Sequence, residues 1–160
     1  MKLQDERITL ETAKLAKEKS FHVPVESSYV EYHKTKKGDD GYKKGDVEIE
    51  TMYFANDWSA TDYSNSNYTM YARPTQALLA RWLRDAHGIQ VYAVSGTLSG
   101  TVDGKRKYKD YVAHVCIGSS RDNEVGRVIQ TAINDARDEE YQTYEAAMEA
   151  GLQYALKQLS

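Results

Sequence analysis

The apolar residues of this chain recur at two periods that replace one another along its length, one of about 3.6 residues and one of 2, so helices and strands must share a core. The clearest stretch is helical. From Pro74 to Gly88, the residues Leu78, Leu79, Trp82, Leu83 and Ala86 make one apolar face, with the proline at its start and the glycine at its end. A shorter helix is expected over residues 10–19, where Leu10, Ala13 and Ala16 are helically spaced, Thr9 suits an N-cap, and Lys14, Lys17 and Lys19 load the later turns. Strand-like residues take over in Ser28 to His33 and Val47 to Phe54, the second segment setting Val47, Ile49, Thr51 and Tyr53 against Glu48, Glu50 and Met52. Gly38, Asp39, Asp40, Gly41 and Gly45 supply turn chemistry between them, which predicts an antiparallel hairpin with a long polar tip.

Ile89 to Leu98 and Lys107 to Ile117 predict a second hairpin around the turn-rich link Ser99 to Gly104. Val125, Val128, Ile129, Ala132, Ile133 and Ala136 then fall at helical spacing, and a last helix begins near Tyr144, capped by Thr143, with Met148, Leu152, Ala155, Leu156 and Leu159 facing inward. Residues 55–72 carry no period and read as a long loop. The resulting order, α-β-β-loop-α-β-β-α-α, predicts an α+β fold of antiparallel β-hairpins covered by helices, in a single domain spanning 1–160. A helix followed by a hairpin occurs twice, but the two stretches share little beyond a basic helix and an aromatic strand, so no repeat is inferred.

A chain of 160 residues can bury a self-sufficient core. Its one cysteine, Cys116, cannot close an intrachain bridge or supply a CxxC knuckle, which removes disulfide-scaffold and zinc-ribbon readings and favours a reducing, cytoplasmic location. The start, Met1 to Arg7, is charged where a secretory signal has its apolar run, and no stretch approaches the roughly 20 apolar residues of a membrane span, so no membrane partner is expected. With 21 basic and 24 acidic residues the net charge is −3. That balance gives no global attraction to a polyanion, whose binding rests on phosphate neutralisation.

Catalytic cassettes recognisable by spacing are missing: there is no GxxxxGK[ST], GxGxxG after a strand, HExxH, GxSxG or CxxC. A non-enzymatic role without a cofactor follows as the leading expectation, with a nucleotide-processing hydrolase of unlisted site as an alternative. The stretch Ser95 to Thr101 fits hairpin chemistry better than an anion cradle. His114 and Cys116, two apart on a strand, share a face and would chelate a soft metal only if a third ligand approached; a small core cysteine beside a hydrogen-bonded histidine is the simpler reading. Lys34, Lys36, Lys37, Lys43 and Lys44, and again Lys105, Arg106, Lys107 and Lys109, lie beside tyrosines, a pattern that can clasp single-stranded nucleic acid. Asp39, Asp40, Asp46, Asp103 and Asp110 dilute both clusters, so an RNA- or DNA-binding accessory role stands behind the leading expectation, as the runner-up ahead of the hydrolase. The acidic run Asp135, Asp138, Glu139, Glu140, Glu145 and Glu149 matches a solvated connector and a helix start better than paired catalytic carboxylates.

Three blocks, Ile8 to Lys19, Pro74 to Ile89 and Thr143 to Leu152, resemble a group of small uncharacterised proteins carried by phages and prophages of gut bacteria. The resemblance covers less than half the chain and implies provenance rather than chemistry: a host-interaction, regulatory or counter-defence role in the cytoplasm of a host cell. The partner expected on that basis is a host protein or a small polar ligand.

Thirteen tyrosines against two Phe and two Trp are the compositional signature, and three of them lie in the segment from Ala55 to Arg73. There one Trp and three Tyr are interleaved with Ser, Thr and Asn, a mixture of rigid amphipathic rings and adaptable polar groups that recognition surfaces use. Trp58, Tyr63, Tyr68, Tyr71 and Arg73 are the expected contact set, with Arg73 offered to a carboxylate or phosphate. The competing expectation is that the rings fold back to cover the sheet.

Overall fold

Thr9 starts the first helix by accepting the Thr12 backbone N–H on its side-chain oxygen at 3.4 Å, and α1 runs over Leu10–Glu18. The computed structural model describes residues 6–38, 41–51, 63–95, 98–102, 105–108, 111–117, 129–132, 141 and 143–159. The chain divides into two compact units, Arg7–Thr75 and Met1–Glu6 with Gln76–Ser160. Both are α+β.

In the first unit α1 is followed by β1 (Ser27–Tyr32), β2 (Val47–Thr51) and β3 (Tyr68–Ala72), antiparallel in the order β2-β1-β3. The helix ends with Ser20 in the left-handed region at φ 61 and the Phe21 N–H returning to the Ala16 carbonyl at 3.0 Å. That closure buries Phe21 together with Ala13 and Ala16. The hairpin of β1 and β2 has the predicted strands and a polar tip. Tyr68–Ala72, read from sequence as part of a loop, is instead a strand paired along β1. Its composition, Tyr-Thr-Met-Tyr-Ala, has strand propensity of its own, which the Ser- and Asn-rich residues before it mask. Asn65 makes the tight turn into it, its Oδ1 accepting from the backbone N–H groups of Asn67 at 2.7 Å and Tyr68 at 3.0 Å.

The second unit contains α2 (Gln76–His87), β4 (Ile89–Ser95), β5 (Leu98–Val102), β6 (Lys105–Tyr108), β7 (Tyr111–Ile117), β8 (Ile129–Ala132) and α3 (Tyr144–Gln158). Gly88, at φ 67, ends α2 as the sequence suggests. Strands β4 and β7 pair from Ile89 with Ile117 to Ser95 with Tyr111, and the link between them is itself a hairpin, β5 with β6. Of the helical stripe expected from Val125 to Ala136, only Ile129–Ala132 lies among the described residues, and it is a strand on the free edge of β7. Ile129 and Thr131 are β-branched, and pairing with Ile117 and Val115 outweighs a helical period that so short a segment shares by chance. The two three-stranded sheets differ in connectivity: the first strand is central in one, β2-β1-β3, and at the edge in the other, β4-β7-β8. This agrees with the absence of a repeat.

Helix α3 lies on the face that carries Val91, Ala113 and Val115, and Gly151 makes the approach close. A Cβ there would stand 2.8 Å from Val91 Cγ1 and 3.2 Å from Ala113 Cβ. Gln76 joins α2 to α3, its Nε2 donating to the Glu145 carbonyl and to Glu149 Oε2, each at 3.0 Å. Leu79 and Leu83 are the fully buried residues of α2, whereas Trp82 is only half-buried, its ring against His87 at 4.5 Å. The apolar face expected from Leu78 to Ala86 would place Trp82 in the core, but the buried stripe is narrower than the apolar one.

Two stability outcomes follow. Leu83→Ala costs about 3 kcal/mol or more and Trp82→Ala about 1–2 kcal/mol, since only the first opens a cavity in closed packing. Gly151→Ala destabilises by about 1–2 kcal/mol despite the better helix propensity of alanine, because Ala113 Cβ is fixed to its strand and cannot give way. Thermal unfolding of the three variants reads both.

Candidate recognition surface

Alternation along the strands divides the first sheet into two faces. Ser28, Val30, Met70 and Ala72 share one and are buried. Tyr29, Glu31, Thr69 and Tyr71 share the other and are half-buried. Register places Tyr29 between Ile49 of β2 and Tyr71 of β3, so an aliphatic side chain and two rings lie in a row across the sheet. Ile49 is 54% exposed and its neighbour on that face, Val47, 42%.

Cations frame the row. The Arg73 guanidinium, next on the same face of β3, lies 5.3 Å from the Tyr29 ring centroid, while Lys14 and Lys17 Nζ lie 5.4 and 5.7 Å from that of Tyr71. Helix α1 delivers both lysines because they are one turn apart on its stripe beside Ala13 and Ala16. Lys14, Lys17, Glu18, Thr69 and Tyr71 line a shallow groove of about 390 Å³.

Hydrogen bonds fix most of these groups. Tyr29 donates its hydroxyl to the Ile8 carbonyl at 2.8 Å, and Lys17 donates to the Met70 carbonyl at 3.1 Å. Glu31 receives Lys14 on one oxygen at 2.8 Å and the Tyr71 hydroxyl on the other at 3.1 Å. The Lys14 contact is the main reason the Glu31 carboxyl is held below its ordinary range; partial burial opposes it and Tyr71 adds to it.

Arg73 differs. Its backbone is fully used, the N–H donating to the Ser27 carbonyl at 2.9 Å and its own carbonyl accepting from Arg7 Nη1 and Ser27 Oγ at 3.2 and 3.4 Å. Its side-chain Nε is buried with no hydrogen-bond partner among the described residues, and no described carboxylate pairs with the guanidinium.

The structure therefore divides the expected contact set. Tyr71 and Arg73 are brought together, joined by Tyr29, Lys14, Lys17 and Glu31, which the sequence reading does not single out. Tyr68 alternates to the opposite face, its ring 6.2 Å from both Tyr63 and Tyr32. Tyr63 is 49% exposed and its carbonyl accepts the Met70 N–H at 2.5 Å. Trp58 lies outside the described residues. The shared parity of Tyr29 and Glu31 and the one-turn spacing of Lys14 and Lys17 are the sequence signals for the missed residues. They acquire meaning only once β3 is recognised as a strand.

Other candidate chemistry is accounted for locally. Tyr32 stacks on Tyr42 at 3.8 Å and donates to Glu48 at 3.0 Å, so the tyrosines of the first basic cluster engage one another. Burial, with the Glu48 carboxylate second, pushes the Tyr32 hydroxyl up to about 12. Tyr92 stacks on His114 at 5.3 Å, and its hydroxyl lies 3.7 Å from Cys116 Sγ, which is buried. No group of three His, Cys, Asp or Glu among the described residues is placed to hold a metal. A second groove, about 320 Å³ between α2 and β4, includes Arg81 and Arg84, both of which hold Asp85, at 3.3 and 2.9 Å. Gly96, Thr97, Lys109 and the acidic residues 135–140 fall outside the described residues. No described helix is long and apolar enough to cross a membrane.

No family model, curated protein or solved structure matches the chain.

The lowered Glu31 carboxyl sets a pH dependence. A folded-state value below the unfolded one contributes stability that is present above the ordinary carboxyl value of 4.5 and is lost as pH falls through the lowered value. Both partners are partly exposed, at 37% for Lys14 and 23% for Glu31, so the contribution is about 0.5–1 kcal/mol. Glu31→Gln is therefore less stable than the parent by that amount at pH 7, and chemical denaturation at falling pH brings the two together below about pH 4.

Proposed function

We propose that this chain is a non-enzymatic binding protein whose recognition surface is the open face around Tyr29, Tyr71 and Arg73. A protein segment or small polar ligand docks there through a carboxylate or phosphate. The observation that carries the reading is the Arg73 guanidinium, held against the Tyr29 ring with a buried Nε that meets no acceptor among the described residues. A buried unpaired donor is a net cost to the free protein of about 1–3 kcal/mol, and a shift of the Arg73 side chain that brings Nε to an incoming anion recovers that cost. Lys14 and Lys17 extend the positive field along the row, and the rings supply rigid contact area. The resemblance of the three helical blocks to phage and prophage proteins supports a host protein as the source of the segment. A nucleic-acid role has less support here, because Tyr32 and Tyr42 stack on each other instead of presenting open rings.

The test uses two probes, a glutamate-rich peptide and inorganic phosphate, and follows the Arg73 Nε–H resonance by NMR. Either probe should move that resonance with saturation, the effective one naming the anion class. Arg73→Met keeps the aliphatic stem over Tyr29 and should abolish the shifts that the effective probe causes in the Tyr29 and Tyr71 ring resonances of the parent, while changing stability by less than about 1 kcal/mol. An unmoved resonance with both probes, together with an Arg73→Met variant destabilised by more than about 2 kcal/mol, would assign Arg73 to the fold instead.

A further inference from the structure

Among the described strands β2 ends the first sheet, and all five of its residues are exposed. Its backbone groups alternate in direction. The Tyr32 N–H donates to the Asp46 carbonyl at 3.1 Å and the Gly45 N–H to the Tyr32 carbonyl at 2.8 Å, so even-numbered residues of β1 bond toward β2. Their partners Glu48 and Glu50 therefore direct backbone groups inward, and those of Val47, Ile49 and Thr51 point out from the sheet, where no described strand pairs with them.

The side chains of this edge are sorted as well. Glu48 and Glu50 share one face, flanked by Asp46, whose carboxylate is occupied by the Lys43 N–H at 2.7 Å; Val47 and Ile49 share the other. A second copy of the chain fits poorly. Antiparallel pairing about Ile49 sets Glu48 opposite Glu50 twice over, and parallel pairing in register sets each glutamate beside its own copy, both repulsive. The pattern blocks self-association, as acidic edges do, yet leaves two β-branched aliphatics exposed beside Tyr29.

We propose that β2 accepts an extended segment of a partner protein as an added strand, one in which lysine or arginine alternates with aliphatic residues. The basic side chains would lie beside Glu48 and Glu50, the aliphatic ones would cover Val47 and Ile49, and the ladder would form on the outward groups of Val47, Ile49 and Thr51. This rests on the edge alone and is independent of the anion reading at Arg73.

The experiment compares two blocked peptides, Val-Lys-Ile-Lys-Val and Val-Glu-Ile-Glu-Val, against the full chain. The lysine peptide should shift the amide resonances of Val47, Ile49 and Thr51 and slow their hydrogen exchange, and the glutamate peptide should do neither. The double variant Glu48→Lys with Glu50→Lys should reverse the preference, weakening the lysine peptide at least about tenfold. Ile49→Pro removes one outward N–H without touching a bond to β1 and should also weaken binding, with circular dichroism confirming the fold. Arg73→Met should leave the peptide affinity unchanged, which separates this proposal from the function proposed above. Failure of the lysine peptide to bind, binding that ignores the charge reversal, or dimerisation of the parent chain through β2 would each overturn it.

Discussion

The register of β1 against its two neighbours is the constraint on which the proposed recognition surface depends. Tyr29 faces Ile49 on one side and Tyr71 on the other, and the same register places Glu31 within reach of Lys14 and of the Tyr71 hydroxyl. A slip of one residue would exchange the faces, burying Tyr29 and Glu31 and exposing Val30 and Ser28. The fully buried Val30 and Ser28 resist that exchange, because one would lose its apolar surroundings and the other its place in the core. Packing on the closed face thus holds the chemistry on the open one.

Electrostatics on that open face are local, not global. A net charge of −3 is compatible with a basic rim because the acidic residues of β2 and the cations of α1 and Arg73 occupy different parts of the first unit. Lys14 is balanced by Glu31, whereas no described carboxylate balances Arg73. The difference matters because a paired surface cation contributes little to recognition, while a guanidinium whose Nε has no acceptor among the described residues would gain a new bond from an anion.

The second unit shows the opposite economy, with polar and small groups committed to packing. Gln76 is tied to both Glu145 and Glu149, and Gly151 admits the sheet to within contact of the α3 backbone. Tyr92 is set against His114 and Cys116, the pair that spacing alone offers as metal ligands. Their shared face is as expected from strand alternation. What occupies that face is an aromatic ring, which the spacing of two residues cannot foretell.

The sequence by itself determined the α+β class, the N-caps at Thr9 and Thr143, the stop at Gly88, the hairpin of β1 with β2 and the buried stripe of α3, because each rests on neighbours within a few residues. Tertiary structure decided the rest. Tyr68–Ala72 and Ile129–Ala132 became strands only because β1 and β7 had edges for them, and pairing to a distant strand leaves no local period strong enough to read. The same pairing split the predicted contact residues, sending Tyr68 to one face and Tyr71 with Arg73 to the other. Alternation within a strand is legible from residue numbers, but which face is closed by a core depends on long-range packing that no short segment encodes.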